Sequence, residues 1–308
     1  MKKIFIATSS FGSYSNKPLE ILRDEGYKVS FNSLKRKLTQ EELRSNLNNV
    51  EGVIAGTELY DENLLNDVPS LKVISRLGVG LDNIDLEFIK KNKLKLFKTN
   101  TAPTLAVAEL SLGLMLDLNR KISLHNLNLK QGEWKKRMGS LLSGKTLGII
   151  GLGVNGKKLI EITSGLNLKY IAFDIFQDKL FAKKNNVKYC SLNELLEKSD
   201  IISIHVNLSK ETKNMINASA FKLLKKDAIL INTSRGEVIN EEDMLKALDA
   251  KLIGGIGLDV FNEEPYNGDL TKYENVILTP HIGSYAKEIR NKMEIESVNN
   301  LIKGFNAK

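Results

Sequence analysis

The amino-acid sequence predicts an α/β protein built from two doubly wound parallel sheets. Short apolar segments alternate with amphipathic segments over the first hundred residues, and the same alternation resumes near residue 145. This alternation is typical of βαβ units in a parallel sheet. A chain of 308 residues also exceeds the comfortable size of a single hydrophobic core. Two domains are therefore expected.

The composition excludes several classes of protein. Hydrophobic residues make up 42% of the chain and charged residues 27%, as in globular proteins. The net charge of +8 comes from scattered basic residues, with no basic block interleaved with aromatic residues. We therefore expect no nucleic-acid partner. The single cysteine, Cys190, fits a reducing compartment, and three histidines with one cysteine at these spacings predict no metal site.

The sequence also predicts neither export nor a membrane partner. The start of the chain has too few apolar residues for a signal peptide. The most apolar predicted helix, at residues 102–118, contains Glu109 and Asp117, which would be costly inside a bilayer. We therefore expect a cytoplasmic protein.

The first half of the chain contains five predicted strands, at residues 4–8, 28–32, 52–55, 72–76 and 95–98. Helices are predicted at residues 18–26 and 39–49, and the second of these opens with a capping box from Thr39 to Glu42. A long helix from residue 104 to about 118 is predicted to cross into a second domain. Another helix should follow, through about residue 131.

The second half begins a new series of strands, at residues 146–150, before Asp174, and at 187–190, 200–206, 228–233, 253–258 and 276–278. Intervening helices include residues 193–198, 218–224 and 241–250. A final amphipathic helix at residues 288–305 is predicted to return to the first domain. The expected domains are thus residues 1–99 with 286–308, and residues 100–285.

A glycine motif follows the first strand of the second domain. Gly151, Gly153 and Gly156 form a G-x-G-x-x-G pattern, a helix starts at Lys157, and the next strand ends in Asp174, 18 residues after Gly156. The first glycine allows a tight turn, the second a close approach of pyrophosphate, and the third tight packing of helix on strand. The N–H groups at the helix start favour an anion, and a carboxylate after the second strand can bind a ribose. An ordinary glycine turn is the alternative. The whole arrangement predicts a Rossmann dinucleotide-binding domain.

Three late strands are followed by polar groups that suit hydride transfer. Arg235, Glu264 and His281 come after the strands at 228–233, 253–258 and 276–278, at the sheet edge where the cofactor is expected. Arginine can bind the carboxylate and carbonyl oxygen of a 2-keto acid, histidine can donate a proton, and a carboxylate can fix the histidine tautomer. Individually, the alternatives are a helix-capping arginine, an exposed glutamate and a core histidine.

Two further stretches remain open from the residues alone. The turn from Gly78 to Gly80 follows the predicted strand that ends at Arg76, and its N–H groups could hold a carboxylate. A plain glycine turn explains that stretch equally well. His205 ends a strand near the cofactor edge, where it could line the adenine or nicotinamide pocket or be a buried, hydrogen-bonded histidine.

Four motifs in register resemble the D-isomer-specific 2-hydroxyacid dehydrogenases. Besides the glycine motif, they are Asn232-Thr-Ser-Arg235-Gly236, Leu258-Asp259-Val-Phe-x-x-Glu264-Pro265 and Thr279-Pro-His281-Ile-Gly283. Order and spacing match from Val53 to the last helix. The stretches Ser75–Asn83 and Trp134–Gly139 most resemble short phosphoglycerate dehydrogenases.

The resemblance implies NAD as cofactor, a Rossmann domain inserted in a flavodoxin-like substrate domain, and a homodimer through the NAD-binding domain. It implies that Arg235 binds substrate, Glu264 orients the histidine and His281 is the general acid/base. The substrate site would also include Arg76, Val79 and Gly80. Cofactor-binding residues are then expected to be Gly151, Gly153, Val154, Asn155, Gly156, Asp174, His205, Thr212, Thr233, Asp259, His281 and Gly283.

The resemblance leaves the substrate open. The main interpretation is oxidation of 3-phosphoglycerate, with a glyoxylate, hydroxypyruvate or D-lactate type reductase as the alternative. A non-catalytic dinucleotide-sensing corepressor is the alternative outside enzymes. The family commonly has Arg-Ile where this chain has Val154-Asn155, so the pyrophosphate loses a cation that Lys157 could replace.

Overall fold

A computed structural model describes residues 1–307 as two compact units. The first unit comprises residues 1–103 and the C-terminal segment from Tyr285, and the second comprises Thr104–Ser284. Each unit is built around one entirely parallel sheet. The predicted fold class, two parallel-sheet α/β domains, is confirmed.

The first unit contains five strands in the order β2-β1-β3-β4-β5, which is the flavodoxin-like order. The strands are β1 (Lys3–Ile6), β2 (Lys28–Phe31), β3 (Gly52–Ala55), β4 (Val73–Arg76) and β5 (Lys95–Lys98). The helices between them are α1 (Lys17–Asp24), α2 (Gln40–Leu47), α3 (Glu62–Asp67) and α4 (Leu86–Lys91).

The helix starts in this unit follow from capping residues. At α2, Thr39 accepts a hydrogen bond from the Glu42 N–H and the Glu42 side chain accepts from the Thr39 N–H, which confirms the predicted capping box. Asp61 and Asp85 are the N-cap residues of α3 and α4. The side chain of each accepts a hydrogen bond from a backbone N–H in the first turn of its helix. The sequence analysis did not predict these two helices, because six residues are too few to show a clear helical period.

The second unit contains seven strands in the order β12-β11-β10-β9-β6-β7-β8, the order of a Rossmann fold with one added strand. After α5 (Thr104–Arg120) and α6 (Ile122–Lys130), strands and helices alternate. They are β6 (Thr146–Ile150), α7 (Val154–Thr163), β7 (Lys169–Phe173), α8 (Lys179–Lys184), β8 (Val187–Tyr189), α9 (Leu192–Lys198), β9 (Ile201–Ile204), α10 (Ala218–Leu223), β10 (Ile229–Asn232), α11 (Glu241–Asp249), β11 (Gly255–Leu258) and β12 (Val276–Leu278).

The last helix, α12 (Lys287–Asn306), belongs to the first unit. Its buried residues Met293, Val298 and Leu301 join Ile4 and Ile54 in the core on one face of that sheet. A separate core covers the other face, so both faces of the sheet are buried, as parallel sheets require. The second sheet is likewise enclosed by two cores. This burial explains why most strands read as continuous apolar segments.

Candidate active site

The glycine loop of the second unit has the geometry of a dinucleotide cradle. Gly151 has a φ of +92°, and a Cβ atom there would come within 2.9 Å of the His205 backbone. A Cβ atom on Gly156 would lie 2.5 Å from the Gly151 carbonyl oxygen, so that α7 meets the loop too closely for a side chain. Gly153, by contrast, has no atom within 4 Å of its Cβ position, which leaves its backbone open to a ligand.

Asp174 connects this loop to the end of β7. Its carboxylate accepts hydrogen bonds from the N–H groups of Leu152, at 2.7 Å, and Phe176, at 2.8 Å. The carboxylate therefore holds the loop in place, and its remaining lone pairs are those available to a ribose. The ribose contact of Asp174 stays a prediction, and the sequence analysis did not predict the bond to Leu152.

The side chains at the start of α7 place no positive charge at the glycine loop. Val154 is 68% exposed and Asn155 is half-buried. Lys157, the expected substitute for the missing arginine, instead donates to Asp178 at 2.6 Å and lies over the Phe181 ring. This end of the helix therefore offers an anion its first backbone N–H groups, which have no intrahelical acceptor.

Arg235 lies in a turn that Asn232 organises. The Asn232 side chain donates to the Arg235 carbonyl at 2.8 Å and accepts from the N–H of Ser234 at 3.0 Å. The Arg235 guanidinium donates to the Ser234 carbonyl at 2.7 Å. Gly236 follows with its Cβ position only 2.0 Å from the Phe261 backbone, so any side chain there would separate the turn from the segment after β11.

His281 and Glu264 form an ion-pair geometry at the same edge of the sheet. The Nδ1 atom of His281 lies 3.0 Å and 2.9 Å from the two carboxylate oxygens of Glu264. The His281 side chain remains 33% exposed while that of Glu264 is 15% exposed. The carboxylate selects the tautomer with a proton on Nδ1 and leaves Nε2 for proton transfer. Two residues predicted to act together are thus in direct contact.

Asp259 organises the segment that carries His281. This side chain is buried, and it accepts hydrogen bonds from the Thr279 hydroxyl (2.6 Å), the Ile282 N–H (2.7 Å) and the Gly283 N–H (2.8 Å). Burial raises the pKa of Asp259, while these donors oppose the rise. The sequence analysis expected Asp259 to bind the cofactor. The three hydrogen bonds occupy most of the lone pairs of the Asp259 carboxylate, and they hold residues 279–283 against the end of β11.

The other expected cofactor residues have defined intramolecular partners. The Nε2 atom of His205 lies 2.9 Å from the Ser203 hydroxyl, whereas its Nδ1 atom is buried without a hydrogen-bond partner. Burial lowers the pKa of His205 to about 4, so the ring is neutral near pH 7. The Thr233 hydroxyl meets Ser111 at 3.0 Å, and the Thr212 hydroxyl donates to the Asn207 carbonyl at 2.7 Å.

The remaining predicted site residues lie in the first unit, at the carboxyl end of β4. Arg76 is buried, and its guanidinium contacts the Asn83 side chain at 3.4 Å and the Leu77 carbonyl. Gly78, with a φ of +151°, lies against this guanidinium: a Cβ atom there would be 2.5 Å from Nη1. The following residues Val79 and Gly80 are exposed and half-exposed, respectively.

These features fit a bound dinucleotide. The open backbone at Gly153, the free N–H groups of α7 and the buried, unpartnered Nδ1 atom of His205 suit a large polar ligand along this edge. Within residues 1–307, no group of histidine, cysteine, aspartate and glutamate side chains could coordinate a metal ion. No described helix is long and apolar enough to cross a membrane.

Comparison with known proteins establishes the family. Residues 112–283 match the pattern described as D-isomer specific 2-hydroxyacid dehydrogenase, NAD binding domain. The chain belongs to this family, and it is an oxidoreductase that uses NAD.

Relatives named for their activities match most of the chain. The glyoxylate reductase of Thermococcus litoralis is 41% identical over 256 residues, which cover 80% of this chain and 77% of that relative. The D-3-phosphoglycerate dehydrogenase of Pongo abelii is 34% identical over 277 residues, which cover 89% of this chain but 51% of that relative. The crystal structure of D-lactate dehydrogenase from Aquifex aeolicus, complexed with NAD and lactic acid, matches with a TM-score of 0.81 and 28% identity, covering 99% of this chain and 95% of that one.

Proposed function

We propose that this protein reduces a small unphosphorylated 2-keto acid, glyoxylate or hydroxypyruvate, to the corresponding 2-hydroxy acid with NADH. The observation that carries the proposal is the contact between Glu264 and His281 at the sheet edge that also presents Arg235. The higher identity to a glyoxylate reductase, over most of both chains, supports the choice of substrate.

The proposed mechanism assigns one task to each of these side chains. The guanidinium of Arg235 binds the substrate carboxylate and polarises the keto oxygen, because its planar fork can serve two oxygens at once. His281 donates its Nε2 proton to that oxygen as the carbonyl is reduced. Glu264 stabilises the imidazolium beforehand and keeps it oriented. Bound NADH supplies the hydride to the carbonyl carbon.

Residues of the first unit are proposed to bind the substrate rather than to react. The successive N–H groups of Val79 and Gly80 are suited to a carboxylate, since such amides in a turn form an anion-binding concavity. Arg76 would contribute its positive charge to the same anion. In the NAD-binding unit, Asp174 is proposed to bind the adenosine ribose, and the glycine loop the pyrophosphate.

Oxidation of 3-phosphoglycerate is the second candidate. It is favoured by the basic Arg76 at the carboxyl end of β4 and by the 34% identity to a phosphoglycerate dehydrogenase. A phosphate would need cations near the substrate, and Arg76 provides one of them.

A substrate panel with NADH distinguishes the candidates. We expect kcat/KM for glyoxylate or hydroxypyruvate to exceed that for 3-phosphohydroxypyruvate by at least about tenfold, because a site without a phosphate partner gains nothing from the added charge. Pyruvate serves as the comparison for D-lactate type activity. The reverse order would favour the phosphoglycerate candidate, and no turnover with any 2-keto acid would contradict both.

We also propose a homodimer formed through the NAD-binding unit. Its segment between residues 122 and 141 exposes large apolar side chains, including Trp134 (80% exposed), Met138 (92%) and Leu141 (70%). Apolar exposure on this scale is typical of an interface. Light scattering should give a dimeric mass, and Trp134→Ser with Met138→Ser should shift the mass toward a monomer. A monomer at micromolar concentration in the unaltered protein would contradict the proposal.

A further inference from the structure

A buried acidic residue lies at the carboxyl edge of the first sheet. Glu58, on the segment that follows β3, is 3% exposed, and its carboxylate accepts a hydrogen bond from the Gly56 N–H at 3.1 Å. A Cβ atom on Gly56 would come within 2.7 Å of that carboxylate, so the side chain lies directly against the end of the strand. This residue is not part of the catalytic assignments above.

Asn83 connects the segment of Glu58 to Arg76. Its amide donates to the carbonyls of Gly56, at 3.1 Å, and Glu58, at 2.6 Å. Its oxygen accepts from the Nε atom of Arg76 at 3.4 Å. The loop after β3 and the arginine at the end of β4 are therefore held together by one side chain.

Two cations lie close enough to Glu58 to affect its ionisation. Burial raises the pKa of Glu58, and the charges of Arg76 and Lys37 oppose that rise. A buried carboxylate is costly unless cations compensate it. In turn, the negative charge of Glu58 partly neutralises the positive potential of Arg76 and Lys37.

From this juxtaposition we propose that Glu58 is a specificity-determining residue that makes the protein discriminate against phosphorylated substrates. Ligands of open parallel sheets bind at the carboxyl ends of the strands, where Glu58 and Arg76 lie. A phosphate group there carries about −1.5 to −2 charges and would be repelled by the charge of the buried Glu58 carboxylate. The corresponding groups of the unphosphorylated acids, the hydrogen of glyoxylate and the hydroxymethyl group of hydroxypyruvate, are uncharged and are not repelled by Glu58. This inference rests on the proposed function.

The test replaces Glu58 by glutamine, which keeps the shape and the acceptor for the Gly56 N–H but removes the charge. In Glu58→Gln, the ratio of kcat/KM for 3-phosphohydroxypyruvate to that for hydroxypyruvate should rise at least about tenfold, because a nearby like charge is removed. Inorganic phosphate should also become a stronger competitive inhibitor against hydroxypyruvate. Glu62→Gln is the matched control, because Glu62 is exposed in the first turn of α3 and should leave the ratio unchanged.

Lys37→Gln provides a second variant that does not depend on the stability of Glu58→Gln. Removal of this cation while Glu58 remains should lower the relative kcat/KM for the phosphorylated acid further. An unchanged ratio in either variant, or an equal loss for both substrates, would overturn the proposal and leave Glu58 with a structural role only. Failure of the proposed function is seen separately, as a preference of the unaltered protein for the phosphorylated acid or as no turnover.

Discussion

Replacement of His281 by asparagine is expected to lower kcat for 2-keto acid reduction by about 10³-fold, within the range that a positioned general acid contributes. KM should change little, because the proposed anchor of the substrate is Arg235. The Nδ1 atom of His281 contacts both carboxylate oxygens of Glu264, so that asparagine can retain one hydrogen bond to Glu264 without offering a proton at Nε2. Steady-state kinetics with NADH, together with a thermal melt that confirms folding, measure the effect.

Glu264 supplies the control for this assignment. Glu264→Gln alone should lower kcat by about 10²-fold, since the amide can still accept from Nδ1 but no longer stabilises an imidazolium. The double variant should be no slower than His281→Asn, because groups that act as a unit are not additive. A double variant whose loss equals the product of the two single losses would show that Glu264 does not act through His281. Full turnover in His281→Asn would refute the mechanism.

Replacement of Arg235 by glutamine should reduce kcat/KM by about 10³-fold, because removing one partner of a charge-assisted contact costs about 2 to 5 kcal/mol. Arg235→Lys should recover only part of this loss, since lysine restores the charge but not the planar fork. The Asn232 side chain that fixes the turn bonds to the Arg235 carbonyl and to Ser234, and it remains in both variants. The measurement is kcat/KM for glyoxylate with NADH.

Arg120→Gln is the matched control for Arg235. Arg120 is exposed at the last turn of α5, so the loss of its charge should leave kcat/KM unchanged. Equal activities for Arg235→Lys and the unaltered protein would mean that only a positive charge is needed. Equal activities for Arg235→Gln and the unaltered protein would remove Arg235 from the site.

The placement of the catalytic candidates was predictable because the sheet is parallel. Arg235, Glu264 and His281 each follow a strand, and the carboxyl ends of parallel strands share one edge. The contact between Glu264 and His281 follows from that rule, although its two nearly equal distances do not. The glycine pattern was equally informative, since Gly151 has a positive φ and Gly156 lies too close to the Gly151 carbonyl for a side chain.

Contacts that depend on the path of a loop were not predictable. Asp259 accepts from residues 20 to 24 positions later, which requires the segment after β12 to fold back onto the end of β11. Lys157 pairs with Asp178 because α7 and the start of α8 adjoin, a proximity that no local spacing reveals. Glu58 belongs to no motif, and its significance depends on burial that only the assembled sheet provides.

The dual contact of Asp174 limits how cofactor preference can be altered. Its carboxylate accepts the N–H of Leu152, in the glycine loop, and that of Phe176, just beyond β7. Replacing it by a small neutral residue to admit the 2′-phosphate of NADP would therefore also remove the side-chain hydrogen bond between the loop and the end of β7, leaving the backbone bond from Gly151 to Phe173. Engineering for NADP would need asparagine, or another side chain that keeps an acceptor at this position while removing the negative charge. In this chain, the carboxylate proposed to select the coenzyme also orders the glycine loop.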